Sequence, residues 1–173
     1  WHGVLHSFAN FLFHGPAMFR TLTVAVVGLA FFALLLPPAF AEEESEKDLK
    51  KMAGDWTPVL MQLNGKKQPE ELLKSIKLSI KGDKYNTVVG KEKDEGTLKL
   101  DAAKEPREMD IVPGVGPNKG KLLPCIYEIK GDELRVCYGL NGTARPADFK
   151  ADEDAKGVVM LITYKRLRKN GMR

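Results

Sequence analysis

Histidine is missing from almost the whole chain: among 173 residues the three histidines are His2, His6 and His14, and none follows. Beyond residue 14 this excludes Ser-His-Asp and Cys-His catalytic groups, and with them His-ligated zinc, copper and non-haem iron centres. Serine is scarce too, and after the first forty residues only Ser45, Ser75 and Ser79 remain, each with an ordinary surface or strand setting. Carboxylates are plentiful, which leaves acid-pair chemistry open by residue type, but no spacing singles out a pair. The expectation is a protein that is not an enzyme and uses no metal and no cofactor.

Long apolar runs are lacking with one exception. Val24 to Leu36 is an unbroken run of 13 apolar residues or glycine, preceded by Arg20 and followed by Pro37-Pro38 and Ala39-Phe40-Ala41. A positive flank, an apolar stretch and an A-x-A site make a secretory signal peptide over 18–41. A membrane span needs about 20 apolar residues, so no transmembrane anchor is expected after cleavage. No cysteine follows the run, so a lipid-modified terminus is not indicated. Residues 1–17 lie upstream of Met18 and are expected to be an over-extended start. Cleavage after Ala41 leaves 132 residues, which suits one domain able to bury its own core. The expected location is outside the cytoplasm, periplasmic or extracellular.

A strong charge of one sign is lacking as well. Arg20 is the only charged residue of the leader, so 26 basic residues face 23 acidic ones in the expected mature chain, a net charge of +3. Lysine and glutamate are interspersed, which describes a solvated surface and not a nucleic-acid footprint. The exception is the basic stretch from Lys165 to Arg173, whose last part, 168–173, is set apart as a tail. It is either a frayed, soluble end or a weak attachment to an anionic envelope surface.

What is present is a succession of short β-type segments. Residues 42–50 make a charged leader, disordered at first, with a helical turn near Leu49. A first strand runs from Trp56 to Leu63, where Pro58 demands an edge or a bulge. Gln68 to Lys74 forms a short helix, with proline at its start, acids in its first turn and lysine in its last. Ile76, Leu78 and Ile80 alternate with Lys77, Ser79 and Lys81 as a half-buried strand. Tyr85–Val89 returns, Gly90–Asp94 turns, and Gly96–Leu100 repeats the alternation. Arg107–Val112, Leu122–Ile129, Leu134–Tyr138 and Val158–Arg166 complete about eight strands.

Two loops invite a functional reading. Pro113–Gly120 resembles a phosphate cradle, but Val115 stands where a P-loop requires its first glycine and Leu122 where it requires serine or threonine. A turn-rich connection explains it better. Gly139–Gly157 is long for a compact domain. It is either a lid or rim with Phe149 as its apolar contact, or a loop without order around Asp152-Glu153-Asp154. Asn141-Gly142-Thr143 within it matches a glycosylation acceptor.

Gly131-Asp132 as a two-residue hairpin loop sets Ile129 opposite Leu134, Tyr127 opposite Val136, Cys125 opposite Tyr138, and Glu128 opposite Arg135. That register places Cys125 and Cys137 on opposite faces. A disulfide, the usual reading of two cysteines in an exported chain, would need a one-residue slip that turns one apolar set outward. Two separate thiols are therefore expected.

The fold expected from this succession is all-β: a small up-and-down antiparallel barrel of about eight strands with one short helix, spanning residues 51–167. Gly54-Asp55-Trp56 on the first strand, with Tyr164-Lys165-Arg166 ending the last, resembles the lipocalin pattern, in which a basic residue of the final strand lies across the first-strand tryptophan. The segments GDWTPVLMQLNGKKQPEELL, LSIKGDKY, GPNKGK, YEIKGDELRVC and RPADF are similar to an uncharacterised lipocalin-like domain family described from planctomycete bacteria. The likeness covers roughly residues 50 to 167. It implies Arg166 as the partner of Trp56, with Lys165 second; Gly54, two residues before Trp56, is by its own position expected to let the backbone pack closely beside a structural ring at the barrel floor. That family has no established activity. The chain departs from lipocalins proper in having no long helix after the last strand and in the interruption by Pro58.

Two functional readings follow. One is a monomeric binding module that holds a small apolar molecule, its barrel lined by Ile76, Leu78, Ile80, Leu98, Tyr127, Val136, Tyr138 and Ile162. The other is a structural or interaction domain with a packed barrel whose outer surface meets an envelope protein. Inward alternation looks the same around a filled and an open barrel, so a cavity volume is the discriminating quantity.

Overall fold

The computed structural model describes residues 38–116, 118–152 and 157–168. The expected over-extended start, the expected signal peptide up to residue 37 and the basic tail beyond Arg168 lie outside the described residues. The elements are α1 (Pro38–Met52), β1 (Gly54–Leu63), β2 (Lys66–Lys67), α2 (Glu70–Ser75), β3 (Ile76–Lys81), β4 (Lys84–Val89), β5 (Glu92–Asp101), β6 (Glu108–Pro113), β7 (Leu123–Lys130), β8 (Glu133–Leu140) and β9 (Val158–Arg166). Strands β3 to β9 pair antiparallel with their neighbours in chain order, β1 joins β3 on one side and β9 on the other, and β2 only flanks β1. Eight strands thus close into a barrel. Closure removes the exposed edges that an open sheet of this composition would carry.

The alternation that marks the strands also sorts their faces. Ile76, Leu78 and Ile80 are buried while Lys77, Ser79 and Lys81 are exposed. Pro58 pairs with Tyr164 and Leu60 with Thr163, so Val59 is the extra residue of a bulge and points to solvent at 51% exposure. A proline without an N–H is tolerated there because the ladder is already broken. α2 starts directly after Pro69, with Glu70 and Glu71 in its first turn and Lys74 in its last.

Three stretches depart from the expectation. The charged leader is ordered as part of α1, held by Glu43–Lys47 (2.9 Å) and Glu46–Lys50 (3.8 Å) pairs, the favourable acid-before-base order at i,i+4. Its inner face carries Ser45, Asp48, Leu49 and Met52. Asp48 is fully buried and accepts from Tyr127 Oη at 2.9 Å, Lys51 Nζ at 2.9 Å and the Arg107 guanidinium. A buried carboxylate is tolerable only with such partners. Strand β5 begins at Glu92, so Asp94 belongs to a strand and not to the Gly90–Lys91 turn. The described part of the connection after Leu140, up to Asp152, is a strap and not a lid, while Glu153-Asp154 of the acidic stretch lie outside the described residues. Ala151 and Phe149 pack with Ile126, Cys137, Val159 and Leu161 on the outer wall, and Arg135 lies 4.8 Å from the Phe149 ring centre. Arg145 pins the strap by donating to Asp110 (2.6 Å) and to the carbonyls of Met109 and Cys125.

One end of the barrel is sealed. Trp56 is fully buried, and its indole Nε1 donates to the Met52 carbonyl at 2.8 Å. Arg166, opposite Trp56 in the β1–β9 ladder, lies 4.1 Å from the ring centre and donates to the carbonyls of Ala53 and Lys51. It therefore covers the ring and satisfies the last carbonyls of α1 with a cation. Lys165, the second candidate, faces outward to Glu133 at 2.8 Å. Gly54 has φ of +134°, and a Cβ there would sit 2.8 Å from Arg166 Nη1. Only glycine satisfies both the backbone angle and the approach.

The β7–β8 ladder has the expected register, with Tyr127 opposite Val136 and Ile129 opposite Leu134. Cys125 accordingly lies in the barrel core and Cys137 in the outer cluster, and both are free thiols.

Two predictions follow from these contacts. Trp56→Ala should cost about 3–5 kcal/mol in urea unfolding and Arg166→Ala about 1–3 kcal/mol, with the double variant well short of their sum because the ring contact is shared. Strict additivity, tested with Trp56→Phe if the alanine variant does not fold, would mean the two side chains do not cooperate. The second concerns the thiols, which should stay unbridged by intact mass and resist alkylation until the chain unfolds. Burial raises both thiols, Cys137 to about 11 from the ordinary 9.0. The folded state then holds protons that the unfolded chain releases, so stability should fall as pH rises above about 9. A melting temperature unchanged between pH 8 and pH 10.5 would contradict that burial.

Candidate functional site

Above the Trp56 floor the barrel is not filled. The inward faces enclose a cavity of about 320 Å3, at the lower end of the roughly 300–1,000 Å3 typical of small-molecule sites. All eight barrel strands contribute to its wall, and Asn118 of the β6–β7 loop reaches it as well. The mouth lies at the end opposite α1, where Ser75 accepts from the Gly90 N–H at 3.1 Å and Val89 is exposed at the rim.

Of the residues named from alternation, Ile76, Leu78, Ile80, Leu98, Val136, Tyr138 and Ile162 line this cavity. Tyr127 does not. Its ring is inward, but it sits at the floor with its hydroxyl on Asp48, so it belongs to the seal and not to the cavity wall. Period-two alternation reports which face a side chain takes, not its depth along the barrel.

The wall also holds residues that were not anticipated. Met61, Met109 and Met160 line it, and three unbranched side chains give an apolar wall that can adapt its shape. Tyr138 Oη and Tyr164 Oη are 3.2 Å apart. Burial pushes Tyr164 up to about 12 and Tyr138 well above its ordinary value, so both stay neutral hydroxyls. Tyr85 Oη donates to Asp94 Oδ2 at 3.0 Å, and burial followed by that bond raises Tyr85 as well. Asp94 is the only charged side chain among the described residues of the wall. Counting back from buried Leu100 and Leu98 through Gly96 would have put it on the inward face. Its charged neighbours Glu92, Lys93 and Glu95 hid that signal.

Gly96 is what seats Tyr85. The two residues are ladder partners, and a Cβ at Gly96 would lie 2.9 Å from Tyr85 Cε1 and 2.2 Å from the Val112 carbonyl oxygen. Chemically, the site can enclose a small apolar body and offer it one carboxylate and a few hydroxyls. No group of three histidine, cysteine, aspartate or glutamate side chains converges among the described residues. No described helix is long and apolar enough to cross a membrane. Searches of protein-family models, curated proteins and solved structures returned no match to this chain.

Gly96→Ala should move the Tyr85 ring and cost about 1–3 kcal/mol, the usual penalty for overpacking. Gly82→Ala is the strain control, since φ there is +60° with nothing within 4 Å of its Cβ. An alanine at residue 96 that leaves the urea midpoint and the Tyr85 ring signals unchanged would show that this backbone approach is not needed.

Proposed function

We propose that this chain is an exported, lipocalin-like barrel that holds one small, largely apolar molecule and carries out no catalysis. The single observation that carries the reading is the cavity of about 320 Å3 above a sealed floor, walled mainly by aliphatic, methionine and tyrosine side chains. A barrel of eight strands either fills its interior or leaves room for one small ligand, and this one leaves room. The alternative, a packed domain that serves only an envelope partner, gives no reason for that volume. The A-x-A pattern after an apolar run supports export, and the resemblance of the Gly54–Trp56 and Tyr164–Arg166 segments to lipocalins supports the mode of binding. Closure by the β1–β9 ladder leaves no barrel edge for strand exchange, which favours a monomer.

The neutral fluorophore N-phenyl-1-naphthylamine tests this reading. The native protein should bind it saturably at one site, and Val136→Trp, which pushes an indole into the cavity, should abolish binding while cooperative unfolding persists. Val136→Phe provides a milder step. Absence of saturable binding to the folded wild-type protein would overturn the reading.

A further inference from the structure

The cavity wall contains one residue that an apolar container does not need. Asp94 occupies an inward position of β5, three residues from the Gly90–Lys91 turn at the mouth. One carboxylate oxygen accepts the Tyr85 hydroxyl at 3.0 Å. The other, Oδ1, is withdrawn from water and has no hydrogen-bond partner among the described residues. None of the described ion pairs includes Asp94, and no lysine, arginine or histidine stands among the described residues of the wall. An unpaired carboxylate oxygen in apolar surroundings is costly, and a valine or isoleucine at this position would suit both strand and cavity better. Moreover, the position is built: the missing Cβ of Gly96 makes room for the Tyr85 ring whose hydroxyl orients the carboxylate.

We infer that the cavity takes an apolar amine, with its protonated nitrogen at the Asp94 carboxylate where that side chain lines the cavity and its hydrocarbon part against Leu78, Ile80, Val136 and Ile162. The inference rests on the proposed binding function and specifies the ligand class. A cationic N–H donor compensates the one charge of the wall, which no basic side chain among the described residues pairs. Charge-assisted bonds of this kind are roughly twice as strong as neutral ones. A neutral alcohol would supply only the hydrogen bond. A carboxylate would set like charges together, so fatty acids of the same length should be disfavoured.

Competition against bound N-phenyl-1-naphthylamine with hexylamine, hexanol and hexanoate at neutral pH tests this on the full chain. Hexylamine should displace the probe at about tenfold lower concentration than hexanol, with hexanoate weakest. Asp94→Asn should lose the amine preference, read as the ratio of hexylamine to hexanol displacement whatever the variant's own affinity for the probe, and Tyr85→Phe should reduce it. Equal displacement by the three, or tighter binding of hexanoate, overturns the inference while leaving apolar binding intact. An Asp94→Asn variant that keeps the full preference overturns it too. If that variant does not fold, the order among the three compounds on wild-type protein decides alone. Failure of the probe to bind wild-type protein would instead remove the binding function and the inference together.

Discussion

A helix that ends beneath a barrel leaves carbonyl groups with no partner inside the helix, and the way these are satisfied organises the rest of the molecule. The carbonyls of Lys51, Met52 and Ala53 are taken by two side chains, the Trp56 indole and the Arg166 guanidinium. Trp56 belongs to the first barrel strand and Arg166 to the last. The contacts that finish α1 therefore also hold together the two strands whose pairing closes the barrel. Gly54 is required by the same arrangement, since any side chain there would displace the arginine. Tyr127 and Arg107 extend the seal by meeting the buried carboxylate of Asp48.

Concentrating polar satisfaction at one end has a counterpart at the other. The floor is dense, with Trp56, Met52 and Tyr127 almost fully buried, while the interior above it keeps open volume. Cavities reduce stability because wall atoms lack contacts, so the floor, the closed ladder and the outer strap offset that loss. The strap in particular adds a second apolar cluster outside the barrel, around Cys137, Val159 and Leu161. Support from outside leaves the interior free of the need to be filled.

Much of this architecture was legible in the amino-acid order, and the failures have physical causes. Ile76, Leu78 and Ile80 announced their face because one side of β3 meets water and the other does not. The β7–β8 register followed from pairing apolar with apolar residues and Glu128 with Arg135 across a two-residue loop. The order of α1 was hidden because its buried face carries Ser45 and Asp48, whose burial depends on partners far along the chain at Ala102, Arg107 and Tyr127. Asp94 was concealed by neighbours that resemble a turn, and the depth of Tyr127 could not be seen in a pattern that records only inside and outside. Both errors concern charged or hydroxyl-bearing groups whose environment is created by tertiary structure.

A container sealed at one end differs from a tunnel in how its contents exchange. Trp56 and Tyr127 close the rear among the described residues, so a molecule held above them would load and unload at the end opposite α1. An elongated guest would enter by its far end and leave in the reverse order. Its dwell time would then depend on every contact broken along that one path, those deep in the barrel as well as those at the rim.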